Sequence, residues 1–259
     1  MSKLQLLSLA LVSLFVSIQA RAQFAESVIS YDPGAGFSPG FTNAEAALGE
    51  PSRITPGDFG GPVDPFDPAY LTSQLVSIGA AGSLTVKFSK PILDHPRNRF
   101  GIDFIIFGNA GFIITNAFDL NTFNWIGTPA TDGSLFGNNP GASRVSVSSD
   151  GITFYELNPA VAATAVVDGL LPTEGSGDFH TPTDPSLRQT DFAGLTLEGI
   201  RALYFGSAGG TGYDLAWAQD SNGKPVSIHS ISYVRLEILE GKAEVDGIAA
   251  VFVPPGLRR

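Results

Sequence analysis

The chain runs to 259 residues, 43% hydrophobic and 15% charged, with 30 Gly, 18 Pro, no Cys and a formal charge of −10. That apolar fraction excludes a disordered chain, and the glycine and proline content excludes a helical bundle. The acidic balance speaks against a phosphate-tracking nucleic-acid binder, and the lack of cysteine removes disulfides, cysteine zinc sites, iron–sulfur clusters and thiol nucleophiles.

Met1–Lys3 supply a short basic start, Leu4–Ile18 run apolar, and Ala20-Arg21-Ala22 places small residues where a signal peptidase cuts. The apolar run is about 15 residues, short of the roughly 20 that span a bilayer. Residues 1–22 are therefore expected to be a cleaved signal peptide of a bacterial secreted or periplasmic protein, with no transmembrane segment after cleavage. Residues 23–259 are expected to form a single domain.

From Gln23 to Ile78 the chain is punctuated by Pro and Gly, which suits neither a helix nor a central strand. The exception is Thr42–Gly49, whose Thr, following Glu and terminal Gly predict a two-turn helix capped by Thr42. Strand patterns then recur at Ser83–Phe88, Phe100–Phe107, Arg144–Ser148 and Ile152–Leu157, the last two joined by Asp150-Gly151 as a hairpin. Leu170–Ala193, rich in Gly and Pro, reads as a long surface loop. Ile200–Phe205, Ser230–Leu239 and Val245–Val253 read as strands, with Glu240-Gly241-Lys242 joining the final pair. No helical pattern separates these runs, so the expected fold is all-β: an antiparallel β-sandwich, jelly-roll-like, with long Gly/Pro-rich loops.

Several carboxylates fall inside apolar runs. Alternation places Asp103 on the face of Ile105 and Phe107, and Glu244 and Asp246 on the face of Ile248, Ala250 and Phe252 unless Gly247 supplies a bulge. Asp214 follows the glycine-rich turn Gly209–Gly212. Buried carboxylates need a partner, a hydrogen-bond set or a metal. Oxygen donors without cysteine point to a hard cation, calcium first, at Asp214, Asp246, Glu244 and Asp103. The competing reading pairs Asp103 with Arg97, Arg99 or Arg201 and leaves Glu244 at a wet strand edge.

The segments Tyr31-Asp32-Pro33-Gly34, Ala47-Leu48-Gly49-Glu50-Pro51, Phe100–Ala110, Val145–Gly151, Tyr213-Asp214-Leu215-Ala216 and Val245-Asp246-Gly247-Ile248 resemble, in this order, a family of exported bacterial cell-surface proteins. The resemblance implies a secreted sandwich similar to galactose-binding and discoidin-like modules, which often carry a structural calcium. The chain departs from the family at Val253–Arg259, where the Pro-Glu-Pro sorting signal, apolar helix and basic tail are not found, so free secretion is expected.

No catalytic constellation is recognisable around His95, His180 or His229. The function expected is non-catalytic binding of a carbohydrate or other cell-surface or matrix ligand, with Trp125, set among Asn121, Thr122 and Asn124, and Phe136 as aromatic contacts. Trp125 equally suits a cover over its own loop's small core, and Trp217 reads as packed inward. Two alternatives remain: a purely structural or adhesive surface protein, and a glycoside hydrolase using loop carboxylates among Asp58, Asp64, Asp67, Glu174 and Asp178.

Overall fold

Three strands set the largest sheet. Ser83–Leu93, Ser230–Glu240 and Ala142–Ser148 lie side by side with their apolar residues in register: Leu84 faces Leu236, which faces Val145, and Val86 faces Val234, which faces Val147. Such rungs of branched side chains are what a half-buried sheet selects. The next rung, Thr85–Arg235–Ser146–Glu156, points the other way and is polar. There Arg235 lies 3.6 Å over the Phe154 ring. Ser27–Asp32 extends the sheet beyond Ser83–Leu93, while Tyr155–Leu157 and Ala218–Gln219 extend it beyond Ala142–Ser148. The computed structural model describes residues 23–137, 139, 141–162 and 170–251. The expected signal peptide, Phe252 and Val253 lie outside them.

A second, four-stranded sheet has the order Thr211–Tyr213, Phe104–Gly108, Lys242–Ala250, Val76–Gly79. Every strand pairing in the described ladders is antiparallel, and neither sheet closes on itself. Phe104, Ile106, Val245 and Ile248 join Leu84, Val86, Val147 and Val234 in one buried cluster, so both sheets feed the same core. The opposite face of the second sheet, through Ile105, Phe107 and Ala249, packs on Ile102, Phe179, Ala208 and Val251. Burial on both faces explains the unbroken apolar run that ends at Phe107.

That second cluster corrects the expected surface loop at 170–193. Its backbone is irregular, yet Thr173, Glu174, Phe179, His180 and Thr183 are buried. Backbone bonds stitch it to distant segments: Glu174 N–H to Ala208 O, Gly175 N–H to Val63 O, and Asp178 N–H to Gly206 O. Gly177 permits the approach, since a Cβ there would sit 2.4 Å from Ser207 O.

Three further expectations shift. Ile200–Phe205 is not a strand; Leu197–Tyr204 is the α-helix of the fold. The Thr196 hydroxyl accepts the Gly199 N–H at its start, and burial falls on Ile200 and Tyr204, four apart, while Ala202 between them is exposed. The strand expected from Phe100 begins at Phe104, because Phe100 is exposed and held at φ 59° in the 3₁₀ turn Arg99–Gly101. The short helix near Thr42 is a 3₁₀ turn, Ala44–Ala47, capped by Asn43 rather than Thr42. The Asp150-Gly151 hairpin is present, its strands paired Ser146 to Glu156 and Val147 to Tyr155.

The helix anchors its surroundings. Arg201 forms a two-pronged ion pair with buried Glu174 at 2.7 and 3.1 Å, and Tyr204 Oη donates to Pro172 O at 2.8 Å. Phe112, Phe192, Ile200 and Tyr204 make a separate small core, with Phe112 and Phe192 rings 4.7 Å apart. Removing the central ring of so small a cluster leaves a cavity that the neighbouring loops cannot fill. Phe192→Ala is expected to lower stability by about 3–5 kcal/mol in chemical denaturation. A loss below about 1 kcal/mol would show that this cluster contributes little.

Candidate metal centre and an aromatic arm

Three aspartates sit one residue outside three strands: Asp94 after Ser83–Leu93, Asp103 before Phe104–Gly108, and Asp214 after Thr211–Tyr213. Because Phe104 pairs with Tyr213, the ends carrying Asp103 and Asp214 meet, and one carboxylate oxygen from each of the three lies within 4.8 Å of the others. Asp94 is exposed, Asp214 half-buried and Asp103 wholly buried.

Asp103 Oδ1 accepts from Asn98 Nδ2 at 2.7 Å and from the His95 N–H at 3.3 Å, while Oδ2 accepts the Leu215 N–H at 2.8 Å. Burial nevertheless pushes its pKa up to about 6, against those three donors, and the charge of Asp214 adds to the rise. Asp214 is likewise raised, by burial first and then by the charge of Asp94. Its Oδ1 is held by the Ala216 N–H at 2.7 Å. Its Oδ2 faces Gly101, where a Cβ would stand 2.8 Å away, so only glycine leaves that oxygen room. Asn98 is 8% exposed and its Oδ1 has no hydrogen-bond partner, although its Nδ2 touches Asp103. An orphaned amide oxygen beside three mutually repelling carboxylates is a donor set for a hard cation. The cluster can coordinate a metal ion.

Two of the four residues expected at such a centre are thus brought together, and two are not. Glu244 accepts from Ser38 Oγ, from Asn109 Nδ2 at 2.6 Å and from Lys242 Nζ at 3.3 Å. Asp246 is bound at both oxygens by Ser52, through its N–H at 2.7 Å and its hydroxyl at 2.9 Å. The register slips between Val245 and Gly247, which makes Asp246 the extra residue of a bulge. Alternation therefore inverts there, and Ile248 and Ala250 face the common core together with Val245 rather than with Glu244. Asp246 also lies opposite the far end of Phe104–Gly108, about 15 Å along the strand from Asp103. Two of the three arginines proposed as partners are engaged elsewhere, Arg201 with Glu174 and Arg99 over the Phe100 and Phe205 rings. Asp94 was missed because Asp94-His95-Pro96 has the look of an ordinary turn; the signal lay in its return to a strand so few residues later.

The sequence matches no protein-family model and no curated protein.

Beside the candidate centre a cavity of about 380 Å³ is walled in part by Ile102, Ile105, Leu171, Leu187 and Trp217, and Trp217 is half-buried against both larger core clusters. Trp125 lies elsewhere. Residues 111–136 form a β-arm: Gly111 pairs with Phe136 at its base, Ile114 with Thr131, and Phe118 with Trp125 toward its tip. The base is held to the body by Phe112 on Phe192 and by Gly133, where a Cβ would meet Gln189 O at 2.0 Å. Residues 120–128 are all exposed. Trp125 is 38% exposed and sits edge-on to Phe118 at 5.0 Å, with Phe123 on the other side of Phe118. Phe136, at the base, covers Gly111, whereas Trp125 pairs with Phe118, seven residues further along the arm. The two aromatic contacts expected from the sequence do not form one surface.

The loop acids serve local structure. Asp64 Oδ1 accepts the Phe66 and Asp67 N–H groups, and Asp178 takes the His180 N–H and Thr181 hydroxyl. Glu174 is desolvated, but the Arg201 guanidinium and Ser176 hold its pKa below the ordinary value.

Burial pushes the Asp246 pKa up to about 7, against the two Ser52 donors. Between an unfolded-state value near 4 and that value, the native state binds the proton more strongly than the unfolded chain. Stability in the presence of EDTA is therefore expected to fall as pH rises from about 4 to 7. Asp246→Asn should flatten that slope and melt higher than the parent at pH 8; an unchanged slope in thermal melts would remove Asp246 as its source.

Proposed function

We propose that the protein is an exported, non-catalytic binding module, in which a jelly-roll-like β-sandwich is tied at one end by calcium and offers the β-arm as its contact surface. The observation that carries this reading is the arm itself, anchored by a small core at its base and carrying Phe118, Leu120, Phe123, Trp125 and Ile126 exposed at its tip. Contiguous exposed apolar side chains on an otherwise well-packed β protein mark an interaction surface. The signal-peptide pattern at 1–22 and the resemblance to exported bacterial surface proteins support export. Among the described residues no helix is long and apolar enough to cross a membrane.

Calcium suits the centre because Asp94, Asp103 and Asp214 supply hard oxygens, and Asn98 Oδ1 adds a neutral one. A dication there would offset the carboxylate repulsion and fix three strand ends to one another. Its role is structural: it would hold the turn 95–98 against Leu215, which together wall the core beside Trp217.

Calcium at 100 times its dissociation constant is expected to add about 2.7 kcal/mol, raising the melting temperature by several degrees over a metal-free sample. Asp214→Asn should abolish that shift and Asp246→Asn should keep it. Superimposed melts of a sample shown metal-free by elemental analysis would end the calcium reading. A carbohydrate ligand at the exposed tip is tested by depletion on insoluble polysaccharides. Retention that Trp125→Ala abolishes without changing the melt would establish it.

A further inference from the structure

Resting on the arm as contact surface, we infer that its tip inserts shallowly into the interface of an electrically neutral lipid bilayer. The exposed apex consists of Leu120 and Phe123, 74% and 77% exposed, with Ile126 and Trp125 one level below. This is a convex wedge, not a groove, so it fits a yielding phase better than a preformed pocket. Phe123 holds its ring outward at φ 53°, a left-handed conformation that glycine takes without strain and an aromatic residue does not. A strained backbone that displays a phenyl ring to solvent implies that the ring has something to enter.

The side-chain donors of the tip already bond acceptors within the arm. Asp119 accepts from the Asn121 N–H and Nδ2 at 2.8 and 3.1 Å and from the Thr122 hydroxyl at 3.0 Å. Asn124 Nδ2 closes on Thr122 O at 2.7 Å, and Asn116 Nδ2 caps Ile126 O and Thr128 O at 3.0 and 3.1 Å. Water would satisfy these groups at no cost; a low-polarity phase would not, and there internal pairing is obligatory. The rings themselves stand edge-to-face, at 72° and 85° for Phe118 with Trp125 and Phe123, so they make no plane for stacking a polysaccharide. Asp119 and Asn124, paired directly below the apex, set the depth at which insertion stops, and Trp125 beside them lies at the headgroup level that tryptophan prefers. Charge selects the lipid: residues 111–136 contain no Lys or Arg, and the whole chain carries −10, so an anionic surface repels it.

The test is sedimentation of the full chain with vesicles of phosphatidylcholine, and of phosphatidylcholine with phosphatidylglycerol, comparing the parent with a Leu120→Ser/Phe123→Ser variant. The apolar stretch Leu4–Ile18 is common to both proteins, so their difference reports the arm. The parent is expected to bind neutral vesicles more tightly than anionic ones, and the variant to lose roughly tenfold or more of that partitioning with an unchanged melt. Lipids brominated near the headgroup should quench parent tryptophan emission and leave that of Trp125→Phe unaffected. Equal binding by parent and variant overturns the inference. Failure to bind neutral vesicles while an insoluble polysaccharide retains the parent and releases the variant also overturns it, and leaves the arm as a contact surface. Failure with vesicles, and dimerisation of the parent that the variant abolishes, makes a second copy of this chain the occupant and overturns it too. If the variant changes none of these, the contact-surface reading falls with it.

Discussion

The strand Phe104–Gly108 has apolar side chains pressed against it from both sides, Phe104 and Ile106 within the core shared by the sheets, Ile105 and Phe107 within the cluster built by the irregular segment. A strand apolar on both faces gains nothing from polarity in choosing its register, since a one-residue slip exchanges one buried set for another. Its position must come from its ends. At one end Asp103 is held through the backbone to Tyr213 O and Val251 N–H; at the other the Asp246 bulge takes up the mismatch between neighbouring strands. The two features on which the proposed function rests leave from those same ends, the carboxylate cluster at Asp103 and the β-arm at Gly111.

The four buried acids among the described residues are accommodated in different ways. Glu174 has a guanidinium, and Glu244 has an ammonium with an amide and a hydroxyl. Asp246 has one serine, and its raised pKa lets it keep a proton at neutral pH. Asp103 has neutral donors on both oxygens and two further carboxylates beside it. Cationic partners and protonation account for the first three. The fourth is the one whose surroundings could hold a metal ion, and it is also the one placed where three strand ends meet.

Much of the sheet structure was legible because it is local: alternation along Ser83–Phe88, Arg144–Ser148 and Ser230–Leu239, and the Asp-Gly turn, are written in neighbouring residues. The helix was not, since Ile200–Phe205 by itself suits a strand, and only Thr196, outside that window, caps it as a helix. Burial of 170–193 was invisible for a different reason. Its partners are backbone groups of Val63, Gly206 and Ala208, which no side-chain pattern announces. For the candidate site, Asp103 and Asp214 stood out as acids bordering apolar runs, while Glu244 and Asp246 shared that mark and differ only through a bulge that Gly247 allowed but did not require.

One strand of each sheet, Ser230–Glu240 and Lys242–Ala250, is joined to the other by a single residue, Gly241, at φ 75°. Each of these strands is interior to its sheet: the first separates Ser83–Leu93 from Ala142–Ser148, the second separates Phe104–Gly108 from Val76–Gly79. Both come later in the chain than every strand they join. During synthesis, then, neither sheet can close until this pair arrives, and when it arrives both close together. Such a topology pays its loop-closure entropy at the end and folds slowly. Were the chain exported unfolded, as proposed, the order of strands would act as a built-in delay, keeping the sheets from forming until nearly all of the polypeptide is on the same side.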